Sequence, residues 1–554
     1  MSAGLPPSAE MVEAACNELL RRASLEDEDP KVRLRCVIAA IEAALLPPLL
    51  RVRAHMMAGV LFHRLTEDTA KAVLHLRAAL SLCLQSEKPV PPKLQLAVLF
   101  VSTEVSQDLL RSGILTDARV LLETLKGVLL NLTPAEEGTA EEVDAERTRE
   151  HLSAHVGVLL VGLLLREGQL TSAERMLPDA LEQVEALPAT ASTDRAPSRV
   201  TLRRALWLQN ALILAQQGDV AKEKDGSGDG PSQGGDDAGG ADAVTELDHL
   251  LVQLEAAAAE AAATGGGDAE AIAAASLLQE ARLARAAIHT GHFEVGDALA
   301  LLEAAREPLA ARAHGEAAWR VSLAHAALAL SDTERAARCL RRALEELKLS
   351  PNCATRPPVG LQLWCELTLA QVGRSSDSDR HEALRAVPMT DDAKCHRLLR
   401  SALQLCVGEA SLALGMPGDA EKRLARAIKL SAVGDSRCDA VSATALASLA
   451  ASISAQADQG PGSGGSGSGS SVGEKRRRAE DSLSSSLMLA AKLQDLPAQR
   501  RALDGWISHY EAVQDAEQLA TFKRYRDDLE AKLKAAQTKA KRNGATRLRR
   551  LADD

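Results

Sequence analysis

Apolar positions along this chain recur at three- and four-residue intervals, and small residues recur with them. The clearest stretch is 401–431. It predicts two short helices joined by Gly415, Met416, Pro417 and Gly418. Ala420, Leu424 and Ala427 follow at intervals of four and three, so all three share one face of the second helix. Gly408 lies midway along the first helix, where a close neighbour leaves no room for a side chain. One such hairpin cannot bury its own apolar face, so units of this kind must stack.

The spacing returns elsewhere. Ala72, Leu76 and Ala79 follow Gly59; Ala118, Leu122 and Leu125 follow Gly113; Ala173, Leu177 and Ala180 follow Gly168. Ala298, Leu302 and Ala305 follow Gly291, and Ala336, Leu340 and Ala343 make a further copy. Small residue, turn glycine, small, large, small is the pattern of a tetratricopeptide (TPR) hairpin. The predicted fold is therefore all-α: a TPR-like right-handed helical-repeat superhelix, or α-solenoid, interrupted by disordered Gly-rich insertions.

Taken in order, residues 1–30 read as an N-terminal helix and an acidic turn, and 31–220 as a first TPR array. Gly, Asp and Ser fill 221–243, which cannot bury enough apolar surface to fold and reads as a disordered insertion. A middle array spans 244–372. The junction 373–387 is irregular, with a polar run and one short helix, and reads as a missing or shortened repeat. The hairpin just described and a following helix occupy 388–458. A Gly/Ser tether ending in a basic cluster covers 459–481. Helices at 482–536 close the array, and 537–554 is a basic tail, the basic run itself beginning at Lys532 and ending at Arg550.

Composition narrows the picture. Apolar residues make up 46% of the 554 residues but aromatics only 2%, so alanine and leucine must build the core, which suits helices rather than sandwiches or barrels. The net charge of −11 disfavours general nucleic-acid binding by the body. Nine cysteines, odd in number and without a C-x-x-C, read as free thiols of a reducing compartment. The longest purely apolar run, 156–165, is about half the ~20 residues needed to span a bilayer. No basic region followed by an apolar core opens the chain. The expectation is an intracellular, soluble protein.

Chemistry-bearing motifs are sparse. No phosphate-binding G-x-x-x-x-G-K, H-E-x-x-H, EF-hand loop or nucleophile elbow is present, so no catalytic residue is assigned. Gly462, Gly464 and Gly467 match G-x-G-x-x-G only within the tether, with no preceding strand. Cys395-His396 lacks a second pair at ligand spacing, and His289, His292 and His314 lack a Cys or carboxylate pattern, so neither metal nor cofactor is expected. Trp207, Trp319, Trp364 and Trp506 fall on apolar faces and read as core. Lys475, Arg476, Arg477 and Arg478 read either as a nuclear import signal exposed on a tether or as a solubilising charge run. The basic run 532–550 reads as a phosphate contact or a solvated helix end.

Five segments, at 31–43, 54–85, 204–214, 408–431 and 487–512, together resemble the TPR subunit of the cohesin loader, the sister chromatid cohesion factor of the Mau-2/Scc4 type. The resemblance runs from about residue 30 to 535 and rests on their order and spacing. It implies a non-catalytic nuclear scaffold that wraps the extended N-terminal segment of a large HEAT-repeat loader subunit of the Nipped-B/adherin type. Such a complex promotes cohesin loading on chromatin and sister chromatid cohesion. Cohesin would be met indirectly, chromatin through the partner, and neither membrane nor small-molecule substrate is implied. Family members carry more helix between the positions matching 373 and 380. In TPR geometry the first helices form a concave wall, to which Arg53, Met56, Thr103, Gln107 and Glu409 would turn. Two alternatives stay open: a TPR adaptor or scaffold of another nuclear or cytosolic assembly, and a nucleic-acid binder acting through 532–550.

Overall fold

The computed structural model describes residues 9–43, 46–66, 68–85, 90–132, 140–188, 197–217, 243–263, 269–310, 315–349, 359–372, 376–387, 397–432, 438–458 and 472–553. Among the described residues there are twenty-two helices and no strand, an all-α helical-repeat architecture. Most of the insertion expected at 221–243, the Gly/Ser part of the tether, and Cys395-His396 lie outside the described residues.

In chain order the helices are α1 (Ala9–Ser24), α2 (Pro30–Glu42), α3 (Pro48–Leu65), α4 (Thr69–Gln85), α5 (Pro92–Arg111), α6 (Leu115–Asn131), α7 (Ala140–Arg166), α8 (Leu170–Ala186) and α9 (Arg199–Gln217). There follow α10 (Ala243–Ala263), α11 (Ala269–Gly291), α12 (Val295–Ala310), α13 (Gly315–Ala329), α14 (Thr333–Leu349), α15 (Val359–Val372) and α16 (Asp377–Ala386). The remainder are α17 (Arg397–Ala413), α18 (Pro417–Ala432), α19 (Asp439–Asp458), α20 (Val472–Lys492), α21 (Leu496–Val513) and α22 (Ala516–Asp553). They fall into two compact units. The first is Met1–Leu163, Met176–Leu206 and Ser350–Pro358; the second is Leu164–Arg175, Trp207–Leu349 and Val359–Asp554.

Packing within each unit follows the small–large–small stripes. Ala72, Leu76, Ala79, Ala118, Leu122, Leu125, Ala298, Leu302, Ala305, Ala336, Leu340, Ala343, Ala420, Leu424 and Ala427 are all buried, and Leu177 alone among the large members is half-exposed. The paired helix supplies a glycine where the large residue arrives. A Cβ on Gly59 would lie 2.5 Å from Leu76 Cγ, and one on Gly408 would lie 2.7 Å from Leu424 Cγ. Gly505 meets Leu483 of α20 in the same way, at 2.5 Å. Gly59 is thus a packing glycine inside α3, not a turn residue.

One turn recurs seven times among the described residues. Gly113, Gly168, Phe293, Ser331, Gly415, Gln494 and Gln514 each adopt φ between 52° and 75°. Each donates its N–H three residues back, and the next residue donates five back: Gly113 to Leu110 and Ile114 to Leu109, for example, or Ser331 to Leu328 and Asp332 to Ala327. This is the Schellman end, which satisfies the orphan carbonyls of the first helix and starts the second two residues later. Left-handed backbone costs a residue with a Cβ roughly 1–2 kcal/mol. Three of the four non-glycine turns are followed at once by an aspartate. Asp332, Asp495 and Asp515 accept from the N–H of Arg335, Ala498 and Gln518, at 2.9–3.1 Å. Such a cap contributes about 1 kcal/mol and offsets the strain beside it. Glycine had been expected to turn the chain at Gly291. That residue ends α11 instead, and Phe293 makes the turn.

Three further expectations change. The junction at 373–387 holds a ten-residue helix, α16, capped by Ser376, which accepts from the Asp379 N–H at 3.1 Å. Leu384 and Val387 pack against Leu363, Leu367, Leu403 and Cys406, so the second member of this pair is short rather than missing. Helix replaces tether from Val472 onward. Ala479, Leu483, Ser486 and Ala490 form a buried stripe at helical spacing, and the basic residues before them continue the same helix. Finally, α22 does not stop at 536 but runs through the basic tail to Asp553.

Helix α19 is long and apolar enough to cross a membrane by length and composition, with a mean hydropathy of 1.3 over 439–457. Its serines bond instead to protein: Ser442 with Ser431 at 2.9 Å, Ser448 to Glu409 at 3.0 Å, Ser452 to the Pro417 carbonyl at 2.6 Å. It is a core helix flanked by α18, α20 and α21.

Candidate partner-binding site

The residues expected on a partner-facing wall fare differently. In the first unit Arg53 on α3 is exposed, and Met56 on α3 and Gln107 on α5 are half-buried. Thr103 is 2% exposed, and its hydroxyl donates to the Leu99 carbonyl at 2.8 Å. Ser106 likewise folds back onto Ser102 at 2.7 Å. A short hydroxyl side chain can satisfy itself on its own helix, so it is buried without a partner. Thr103 is therefore removed from the candidate surface.

Beside Arg53 and Met56 lies a polar seam that hydrophobic spacing did not show. His55 on α3 and His75 on α4 face each other with their Nδ1 atoms 3.0 Å apart, and Phe62 stacks on His75 at 5.4 Å. One ring must donate and the other accept, so at most one proton is shared at this contact. Burial, then the charges of His75 and Arg51, lower His55 to about 4; burial and Lys71 lower His75. About two turns on, His63 Nε2 reaches Asp108 of α5 at 3.3 Å. The α3 surface thus presents the exposed guanidiniums of Arg51, Arg53 and Arg64, with the half-buried His55 and Met56 beside them.

In the second unit Glu409 is occupied. Its carboxylate accepts from Ser448 and forms an ion pair with Arg501, joining α17, α19 and α21. It positions three helices rather than standing ready for a ligand. The basic cluster is similarly tied at one end: Arg478 pairs with Glu421 at 3.2 Å, and Gln456 also reaches Glu421 at 2.8 Å. Arg477 and Arg478 are exposed, and Lys475 and Arg476 half-buried, on the first turns of α20.

The basic tail is docked by one face. Ala540, Leu548, Leu551 and Ala552 of α22 join the core formed by α12, α13 and α14. Two glycines permit the approach. A Cβ on Gly544 would sit 3.0 Å from Val295 Cγ1, and one on Gly296 3.2 Å from Asn543 Cβ. Glu303 of α12 takes the Arg547 Nε at 2.8 Å and pairs with Arg550. The signal was present in the sequence as Ala540, Gly544, Leu548 and Leu551 at intervals of four, four and three, hidden among Lys and Arg.

The four tryptophans lie on helix-packing faces. Trp319 is fully buried and donates to the Leu302 carbonyl at 2.8 Å, and Trp364 donates to His325 at 2.7 Å. Trp506 stacks with Tyr510 and Phe522, and Trp207 stands 6.0 Å from His249.

Nucleophilic chemistry finds little to work with. Burial pushes the thiols of Cys365 and Cys406 up to about 12 and that of Cys83 up to about 11, so these stay protonated near neutral pH. His289, Glu294 and Asp297 could bring ligand atoms within 4.8 Å of one another. The His289–Glu294 contact at 2.7 Å already joins the two helices across the Phe293 turn, and both carboxylates are exposed.

No protein-family model matches this chain, and no curated protein matches it. Among solved structures, a crystal structure of Scc4 in complex with Scc2n aligns over 96% of this chain and 100% of that one. The identity is 9% and the TM-score 0.29.

Proposed function

We propose that this chain is a non-catalytic scaffold subunit of a cohesin-loading complex. It holds the extended N-terminal segment of a large HEAT-repeat loader subunit. The observation that carries this reading is where the resembling segments fall. The stretches 54–85 and 408–431 each span the end of one helix, the turn and the helix that follows, closed by the same glycine-to-leucine fit at Gly59–Leu76 and Gly408–Leu424. Two segments resembling a TPR loader subunit therefore each contain a TPR-type joint.

An extended peptide that orders on binding costs about 2–5 kcal/mol, which burial of a large surface offsets. Arg53, Met56 and Gln107 remain the contact residues of this reading, the polar and thioether groups suiting an adaptable peptide groove. The site of action is the nucleus, with the cluster Lys475, Arg476, Arg477 and Arg478 as import signal; alanine at these four positions should shift the protein to the cytosol. Affinity capture of the full chain tests the main claim. A large HEAT-repeat partner should co-purify, and deleting that partner's N-terminal segment should abolish the association. Retention after the deletion overturns the reading.

A further inference from the structure

Helix α22 is rich in lysine and arginine between 532 and 550, and only its apolar face is docked. Arg547 and Arg550 are neutralised by Glu303. Lys532, Lys539, Arg542 and Arg549 are exposed, and none has a carboxylate at ion-pair distance among the described residues. Their intervals are seven, three and seven, which places all four within roughly 100° of arc, opposite Ala540, Gly544, Leu548 and Leu551. The row extends about 25 Å along a helix whose other side is fixed to α12 and α13.

We propose that this outer face of α22 binds the phosphate backbone of double-stranded DNA. A row of cations on a docked helix matches an extended polyanion, and the duplex carries one charge per roughly 1.7 Å of axis. Holding the row on a packed helix removes the ordering cost that a mobile basic tail would meet. No aromatic residue lies between 532 and 549, so base stacking, the usual means of holding single strands, is absent. The contact proposed is with phosphates and indifferent to sequence. The net charge of −11 confines the interaction to this stripe. The inference does not depend on the loader-partner reading.

The test is binding of the purified full chain to a short duplex of arbitrary sequence at several salt concentrations. Four phosphate contacts give a log–log salt slope of roughly −3.6, or a fall of about 100-fold in affinity between about 50 and 200 mM. The variant Lys532→Ala/Lys539→Ala/Arg542→Ala/Arg549→Ala should lose at least about tenfold at the lower salt and flatten the slope. The milder Lys539→Gln/Arg542→Gln should lower the slope by about two. Circular dichroism should show wild-type helix content in both, since the replaced residues are exposed. Arg476→Ala/Arg477→Ala on α20 should bind as wild type. The proposal is overturned if the wild type fails to bind at the lowest salt, or if the fourfold variant binds undiminished. It is also overturned if the α20 variant loses as much, or if poly-glutamate displaces the duplex at equal charge concentration.

Discussion

Leu424 occupies the space that a side chain on Gly408 would need: a Cβ there would lie 2.7 Å from Leu424 Cγ and 2.9 Å from its Cδ2. The two residues form a single joint between α17 and α18, and each explains the other's identity. Overpacking of this kind costs roughly 1–3 kcal/mol. Gly408→Ala should therefore destabilise by that amount, although alanine is the better helix former. Leu424→Ala should cost about 2–5 kcal/mol, and the double variant less than the sum. Gly127, inside α6, has nothing within 4 Å of a would-be Cβ, so Gly127→Ala should stabilise by up to about 1 kcal/mol. Urea midpoints of the four variants decide the matter by sign.

Turn strain gives a second test. Ser331 and Gln494 hold φ of 63° and 52° with aspartate caps beside them. Ser331→Gly and Gln494→Gly should each stabilise by up to about 1 kcal/mol, strain relief outweighing the added chain entropy. Asp332→Ala should cost about 1 kcal/mol. At Gly415 the space is open but φ is 72°, so Gly415→Ala should destabilise by about 1 kcal/mol on conformation alone. Thermal shifts in the reverse order would refute this account of the turns.

Docking of α22 can be loosened from either side. Leu548→Asp places a charge in the core shared with α12 and α13, and should raise amide exchange across 540–552 by well over tenfold while sparing α21. Glu303→Gln removes only a partly exposed ion-pair partner, worth up to about 1 kcal/mol, so its effect should be several-fold smaller. Equal protection in wild type and Leu548→Asp would mean that this face is not held.

The His55–His75 contact predicts a pH dependence. Both rings have folded-state values below the ordinary histidine value of 6.5. The unfolded chain therefore binds protons more readily, and the stability of neutral burial is present above 6.5. It is lost as pH falls from 6.5 toward 4, the value to which His55 is lowered. His155 and His325 are also lowered by burial and act in the same direction, so the comparison must be with a variant. His55→Leu/His75→Leu should show a shallower decline of the urea midpoint between these pH values than the wild type. An unchanged slope would assign the effect elsewhere.

Much of this architecture was legible in the residues because helix packing writes itself at three- and four-residue intervals. Ala420, Leu424 and Ala427 announce a buried stripe, and Gly408 announces its counterpart. What was not legible depended on compensation between neighbours. Ser331 and Gln494 do not look like turn residues until Asp332 and Asp495 are seen capping the next helix. Thr103 looked available because its hydroxyl is polar, but Leu99 satisfies it. The basic run at 475–478 and the one after 532 suggested tether and tail. In both, buried alanines and leucines at helical spacing outweigh the charges, which simply occupy the remaining faces. Of the candidate surface, Arg53, Met56 and Gln107 keep their expected exposure, while Glu409 is engaged across three helices.

Arg547 and Glu303 are 244 residues apart in the chain. Stacked hairpins otherwise depend only on their neighbours and can form one after another as the ribosome delivers them. The α12–α13 pair is different, because one of its walls is synthesised some 240 residues later. During translation Val295, Leu299 and Glu303 must wait, uncovered, for a helix some 240 residues downstream. Chaperone engagement of the nascent chain should concentrate on that interval.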